Sequence, residues 1–396
     1  PYRRRLSLPS CPLTYRTIVI FLILFFRRWQ FASFFCGKGD GMIIVQDRIA
    51  VAGADLPRLR ALLEQRYLPG ARARGLILLD SGVSPPLTLA DEPCVFWMRW
   101  RLDDVGAFWT ARGMAVQDPS VAAFWDEVDR FCTGRHREFL RPDGFAREPL
   151  PEPASLTAFL TEPQGWRETA QLHLRPTVDR ADRDALEAAL SATGGLPGVR
   201  QVHLGTNLDL QFGAGHYTWD VRYDDAAAAE AVKASAHWTQ TLMPLLNRLQ
   251  VGFEPIALAT VAAGSRQPGL TAGIKRTALF RLLPGVGDEQ RRAFERNQLA
   301  MPAYIPEILN WRLSRALPAA GRPNPASPDW SYVWEQEYAD LAGLAGAYMA
   351  HPYHWAYLDG SFDPESGRQI VDARLCHAYC AMSRGILGAE SDSQAP

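Results

Sequence analysis

WSYVWEQEY, Trp330–Tyr338, places aromatic side chains at Tyr332, Trp334 and Tyr338. The first two are two residues apart and the third lies four further on. On an extended chain all three therefore project from one face. The same spacing occurs in HYTWDVRY at Tyr217, Trp219 and Tyr223, and apolar residues hold the equivalent places in CVFWMRWRL at Phe96, Met98 and Leu102. From Phe96 to Tyr217 is 121 residues, and from Tyr217 to Tyr332 is 115. That period is too long for a solenoid and suits three copies of a small α+β domain.

Around this marker each copy repeats one order of elements. The last copy reads as strand Ile274–Leu283, an amphipathic helix Asp288–Tyr304 with Asp288 as N-cap, and strand Ile308–Leu317. A loop, PAAGRPNPASPD, is too rich in proline for a tight hairpin. The aromatic strand follows, then a helix Asp340–Met349 and a closing strand Leu375–Met382. The middle copy reads as strands Glu168–Leu174, Val199–Leu208 and Val251–Thr260 around its aromatic strand, with helices Asp182–Ala192 and Ala226–Ser235. The first copy reads as Ile43–Val51, helix Leu56–Arg66, Leu76–Gly82, the aromatic strand, a helical region Asp103–Cys132 interrupted near Asp118-Pro119, and a weak strand His136–Leu140. The order β-α-β-β-α-β is the ferredoxin-like unit.

The expected fold class is α+β, with tandem ferredoxin-like modules forming α-β barrels by sheet-to-sheet pairing. The boundaries are an extension at 1–41, a divergent first module at 42–140, a proline-rich linker at 141–165 and a second module at 166–261. A short linker at 262–272, the third module at 273–383 and a disordered tail at 384–396 complete the chain. One such unit leaves a face of its sheet bare, and a stripe such as Tyr332, Trp334 and Tyr338 is too large to leave in water. Pairing two sheets face to face covers it. Three copies leave one module over, so a homodimer is expected.

The formal net charge of −1 gives no electrostatic case for nucleic acid or anionic lipid. Six cysteines follow no zinc or disulfide spacing, and Cys376 and Cys380 on one strand would sit roughly 13 Å apart, beyond disulfide reach. They read as buried thiols in a reducing, cytoplasmic setting. Residues 1–41 hold seven basic residues against one acid, and an apolar run Ile18–Phe26 of nine residues, short of the about 20 that span a membrane. They read as sequence upstream of a start at Met42, the alternative being a signal anchor; no membrane partner is expected unless they are native.

AYMAHPYHWAYLDG, Ala347–Gly360, carries the chemistry: Tyr348, His351 and His354 at three-residue spacing, with Pro352 between the histidines. Together with LFRLLPG (Leu279–Gly285) and the aromatic strand, this segment makes Gly273–Met382 resemble the stress-responsive A/B barrel (Dabb) family of the dimeric α-β barrel superfamily. The middle copy resembles the superfamily more loosely through LHLRP (Leu172–Pro176) and LPGV (Leu196–Val199), and the first copy in element order alone. In a polyketide cyclase of the family a tyrosine and the second histidine act on a linear polyketide. The resemblance thus implies His354 as general base and Tyr348 as oxyanion donor, a sensible pairing for a neutral imidazole and a phenol. The cyclase has a histidine on its first strand where this chain has Arg276.

Less specific readings stand beside these. His351 and Pro352 read as a helix end, with His351 meeting the last carbonyls. A metal reading of H-x-x-H would need His377 or Asp372 as a third ligand. His377 and Tyr379 share one face of the closing strand and are expected to point into the barrel and line any pocket with His351, Trp334 and Arg276. No glycine-rich phosphate loop, G-x-S-x-G or HExxH is present, so no cofactor is expected. The leading expectation is a stress-responsive A/B barrel protein that binds a small apolar molecule, non-catalytic or of unknown activity. The alternatives are a cofactor-independent cyclase, aldol or isomerase reaction, or a monooxygenase-like one known elsewhere in the superfamily.

Overall fold

Each aromatic strand forms where the spacing places it, and its alternation decides which side of the sheet is greasy. The computed structural model describes residues 41–141, 149–161, 165–210, 213–317 and 330–388. Residues 1–41 form a unit separate from 42–396. The expectations for residues 1–40, for the loop at 318–329 and for the tail from 389 lie outside the described residues.

The first module runs β1 (Ile43–Ala52), α1 (residues 56–73), β2 (Ile77–Ser84), β3 (Pro93–Leu102), α2 (Val105–Gln117), α3 (Pro119–Val128) and β4 (Cys132–Leu140). The break between α2 and α3 falls at Asp118, whose carboxylate caps Ser120 N–H at 2.9 Å. The second runs β5 (Trp166–Leu174), α4 (Arg180–Ala192), β6 (Val199–Thr206), β7 (Tyr217–Tyr223), α5 (Ala226–Ala234), α6 (residues 237–249), β8 (Gln250–Gly252) and β9 (Ile256–Ser265). The third runs β10 (Thr271–Phe280), α7 (Asp288–Tyr304), β11 (Asn310–Ala316), β12 (Tyr332–Tyr338), α8 (Gly343–Tyr348), α9 (Tyr353–Leu358) and β13 (Cys376–Arg384).

Strand order is the same in each: β2-β3-β1-β4, β6-β7-β5-β9 and β11-β12-β10-β13. Two expectations shift. Residues 262–265, assigned to a linker, extend β9, and β9 pairs with both β5 and β11, so it welds the second sheet to the third. The N-cap of α7 is Gly287 rather than Asp288, with Gln290 Oε1 accepting the Gly287 N–H at 3.0 Å.

The second and third modules thus share one sheet whose ends, β6 and β13, approach again through the Asn207–Cys380 bridge and Leu208 N–H donating to Tyr379 O at 2.9 Å. The barrel is nearly closed within one chain. Its interior differs from expectation. Tyr332, Trp334 and Tyr338 face the helix layer with Phe294, Met301 and Leu344, and Tyr217, Trp219 and Tyr223 do the same in the second module. Burying each such ring under helices contributes roughly 1.5–3 kcal/mol. The alternate residues turn inward and bring charge with them. Lys275 Nζ lies 3.0 Å from both Asp220 and Glu335, and Arg167 donates two bonds of 2.8 Å to Glu335. All four side chains are fully buried. Burial is offset by this mutual pairing: Arg167 and Lys275 hold the Glu335 carboxyl down at about 2 against the pull of desolvation. No helix among the described residues is long and apolar enough to cross a membrane.

Candidate functional site

The floor of the site is the helix-facing side of β10 and β12. Arg276 and Gln336 are cross-strand neighbours there, and Arg276 Nη1 donates to Gln336 Oε1 at 2.7 Å. α8 is a widened, π-type turn that brings Tyr348 down onto this floor. The Tyr348 ring meets Tyr338 edge-on at 5.8 Å, and the Arg276 guanidinium carbon lies 5.4 Å from its centroid. Burial raises the Tyr348 hydroxyl, opposed by Arg276 and the Gln336 amide, so the phenol stays protonated.

Pro352 lacks an N–H and stops the α8 path, after which α9 begins. His351 is the hinge between them. Its Nδ1 accepts the Tyr353 N–H at 3.1 Å and its carbonyl accepts the His354 N–H at 2.9 Å. It caps the start of the following helix, and its own N–H donates to Tyr348 O at 3.3 Å, so it also meets a last carbonyl of the preceding one.

α9 sets the His354 ring 4.2 Å from Tyr348, centroid to centroid. Trp109, from α2 of the first module, packs its ring 4.9 Å from the same imidazole. Trp109 Nε1 donates to Met349 O at 2.9 Å, which fixes the indole in place. Burial, then Arg276 and His351, hold His354 well below 6.5, so the imidazole is neutral. Its Nδ1 is buried without a hydrogen-bond partner among the described residues.

The remaining expected residues divide. His377 lies on the helix-facing side of β13, 6.1 Å from Phe280, and burial and Arg276 keep it neutral. Tyr379 shares that side, half-buried at the margin. The residues that point into the barrel are Cys376 and Ala378, packed with Leu279 and Val333, and Cys380 beside His203. That reverses the expected orientation of β13, because the strand's apolar alternates match the barrel side and its aromatic ones the helix side. Trp334 is fully buried under α7, its Nε1 unpartnered. Among the described residues no three His, Cys, Asp or Glu side chains gather as a metal would require.

What single-sequence reading missed is the first module's hold on the segment after His354. Glu365 accepts from Tyr67 Oη and Arg74 Nη2 at 2.6 Å each and from Arg137 Nη1 at 2.9 Å. Arg112 Nε donates to Asp359 at 2.7 Å, and Trp355 packs edge-on against Phe139 at 5.3 Å. The segment after His354 is the seat of a whole module. Asp363 and Glu365 were visible as acids, but nothing local in the sequence pairs them with arginines some 230–290 residues away. A cavity of about 360 Å³ lies elsewhere, on the first module's sheet, lined by Gln46, Arg48, Ser84, Val95, Trp97 and Arg99.

Residues 274–377 match the family described as Stress responsive A/B Barrel Domain. No curated protein matches the chain. Among solved structures, an anthrone oxidase-like protein is 11% identical, with 59% of this chain and 98% of that one covered and a TM-score of 0.42. A provisionally assigned monooxygenase from Lactobacillus acidophilus is 11% identical, covering 56% and 96% with a TM-score of 0.37. A NIPSNAP domain protein from Burkholderia xenovorans is 19% identical, covering 27% and 99% with a TM-score of 0.22. The C-terminal module of this chain is a stress-responsive A/B barrel domain.

Proposed function

We propose that this protein is a non-catalytic binding protein whose C-terminal module encloses a small, largely apolar molecule under the cover of the first module. The observation that carries the reading is the stack of Trp109, His354 and Tyr348, with Trp109 tied to Met349 O. A general base must reach its substrate's proton within hydrogen-bond distance. Here the half-buried imidazole is packed against two rings, Tyr348 at 4.2 Å and Trp109 at 4.9 Å, and Tyr348 is 1% exposed.

Binding is supported by what the helix-facing layer leaves unpaired. His354 Nδ1, Tyr338 Oη, Trp334 Nε1 and Gln298 Oε1 are buried without partners among the described residues, in a module walled by Phe280, Phe294 and Met301. Buried polar atoms are normally satisfied. A guest with one or two polar atoms on an apolar frame would answer them. Free Cys94, Cys376 and Cys380, all buried, support a reducing, cytoplasmic setting. The test is mass spectrometry of small molecules released from the purified full chain. A stoichiometric apolar compound, absent from the Tyr338→Phe/His354→Ala variant, is expected; protein that releases nothing refutes the reading.

The neutral His354 favours a second reading, a cofactor-independent enzyme active when the first module withdraws. Trp109→Ala would then accelerate proton exchange on an enolisable ketone, and adding His354→Ala would abolish the gain. No gain ends that reading.

A further inference from the structure

Inside the barrel shared by the second and third modules, one buried cation stands without an anion. Arg312 lies in the middle of β11, with Glu335 of β12 and Ala263 of β9 as its cross-strand neighbours, and shares the inward side with Glu335. It is 6% exposed, and its hydrogen bond among the described residues runs from Nη2 to Thr260 Oγ1. No carboxylate of the described residues lies within ion-pair distance of it. The inward acids are engaged elsewhere: Glu335 by Arg167 and Lys275, Asp220 by Lys275 at 3.0 Å, and Glu337 by Asn310 and the Ile386 and Leu387 N–H groups. Burial, then Arg167, press the Arg312 pKa down to about 9; Glu335 opposes them and Arg222 adds to them. A guanidinium buried on those terms is costly.

The unanswered groups around it are donors. Arg312 Nε, Arg167 Nε and the hydroxyls of Ser314 and Thr169 are buried without partners among the described residues. Asp220 also has oxygens without hydrogen bonds, but the Lys275 ammonium holds it. Ser314 follows Arg312 by two residues on β11 and so faces the same way, about 7 Å along the strand. Opposite the pair, β9 is bulged at Val261: Ala262 pairs with Leu313 and Thr260 with Ser314. Such bulges re-aim side chains and recur beside binding sites.

We propose that Arg312 and Ser314 form an anion site inside the barrel, which takes one small carboxylate of the size of formate or acetate. Three properties select that class. The missing partner must accept hydrogen bonds and carry negative charge. A guanidinium fork matches the two oxygens of a carboxylate, and a single negative charge balances Arg312 without setting a dianion beside Glu335. The organic part must be short, because Leu258, Leu279, Val333 and Ala378 pack together in the same interior. The site lies across the sheet from Tyr348 and His354, so it stands or falls apart from any guest on the helix side.

The test is equilibrium urea unfolding and refolding of the full chain in formate, chloride or sulfate at matched ionic strength, a route that lets the barrel close around the ion. Above its dissociation constant, each tenfold rise in formate should raise the folding constant tenfold, as one bound ion requires, and chloride should not. Arg312→Met should lose the formate dependence. Ser314→Ala, which removes one buried hydroxyl, should weaken formate binding about tenfold, and it decides the matter if Arg312→Met does not refold. Stability indifferent to formate overturns the proposal, since water then answers these donors. So does an equal response to sulfate, which marks exclusion of salt from the protein surface, or a formate dependence that both variants keep.

Discussion

Replacing Glu365 by Gln changes one oxygen to nitrogen in the seat between the first module and the C-terminal one. The carboxylate is 4% exposed and takes hydrogen bonds from Tyr67, Arg74 and Arg137. Arg137 keeps Asp47, at 2.7 and 2.9 Å, but Arg74 keeps no other carboxylate within ion-pair distance among the described residues. Removing one member of a buried pair strands the other, at a cost of about 3–5 kcal/mol. The assay is urea denaturation of Glu365→Gln, Arg74→Met and the double variant. Each single change should cost about 3 kcal/mol or more, and the double clearly less than their sum, because removing both charges of the Glu365–Arg74 pair no longer strands one of them in the interior. A cost below about 1 kcal/mol for Glu365→Gln, or simple additivity, refutes the reasoning that this network holds the module down.

Other outcomes follow from the same geometry. The Glu365 carboxyl is held at about 2, chiefly by Arg137 and Arg74 against burial. Its folded value lies below the unfolded one near 4.3, so its contribution is present above that value and lost as pH falls towards 2. Burial holds Asp359 up, at about 6, despite Arg112. That contribution runs the other way, full below the unfolded value near 3.9 and lost as pH rises through 6, so Asp359→Asn should flatten the stability profile between about pH 4 and 6. Burial keeps His203 (about 4), His354 and His377 neutral, and each should lower stability by up to about 1.4 kcal/mol per pH unit below about 6.5; a His203→Gln/His377→Gln variant should lose two thirds of that slope. In the barrel, Lys275→Met leaves Asp220 with the Arg167 guanidinium at 3.9 Å in place of the ammonium at 3.0 Å and should cost about 3 kcal/mol in thermal or urea unfolding.

The fold was legible because its signal is periodic. Alternation in Tyr332–Tyr338 and its two counterparts marks a buried face wherever it occurs, and spacing alone aligns the modules. The same alternation does not say which layer the rings meet. Of the inward alternates of β12, Glu335 and Glu337 read as polar, and only partners from elsewhere make them interior residues: Lys275 and Arg167 at Glu335, Asn310 and the Ile386 and Leu387 N–H groups at Glu337. Tyr348 and His354 were legible as a pair since α8 and α9 are consecutive. Trp109 was not: its contact with His354 spans 245 residues and depends on how one folded module docks on another. No local pattern encodes that.

The central claim is that the first module closes over His354, and hydrogen–deuterium exchange at the imidazole C2 position reads it directly. That exchange needs solvent access at the ring, and His136, 43% exposed at the side chain, serves as the open reference in the same molecule. The expected result is exchange at His354 far slower than at His136 in the intact chain, speeding up markedly in Trp109→Ala and Glu365→Gln. Exchange at His354 as fast as at His136 in the unmodified protein would mean that the stack is open in solution and would contradict the account.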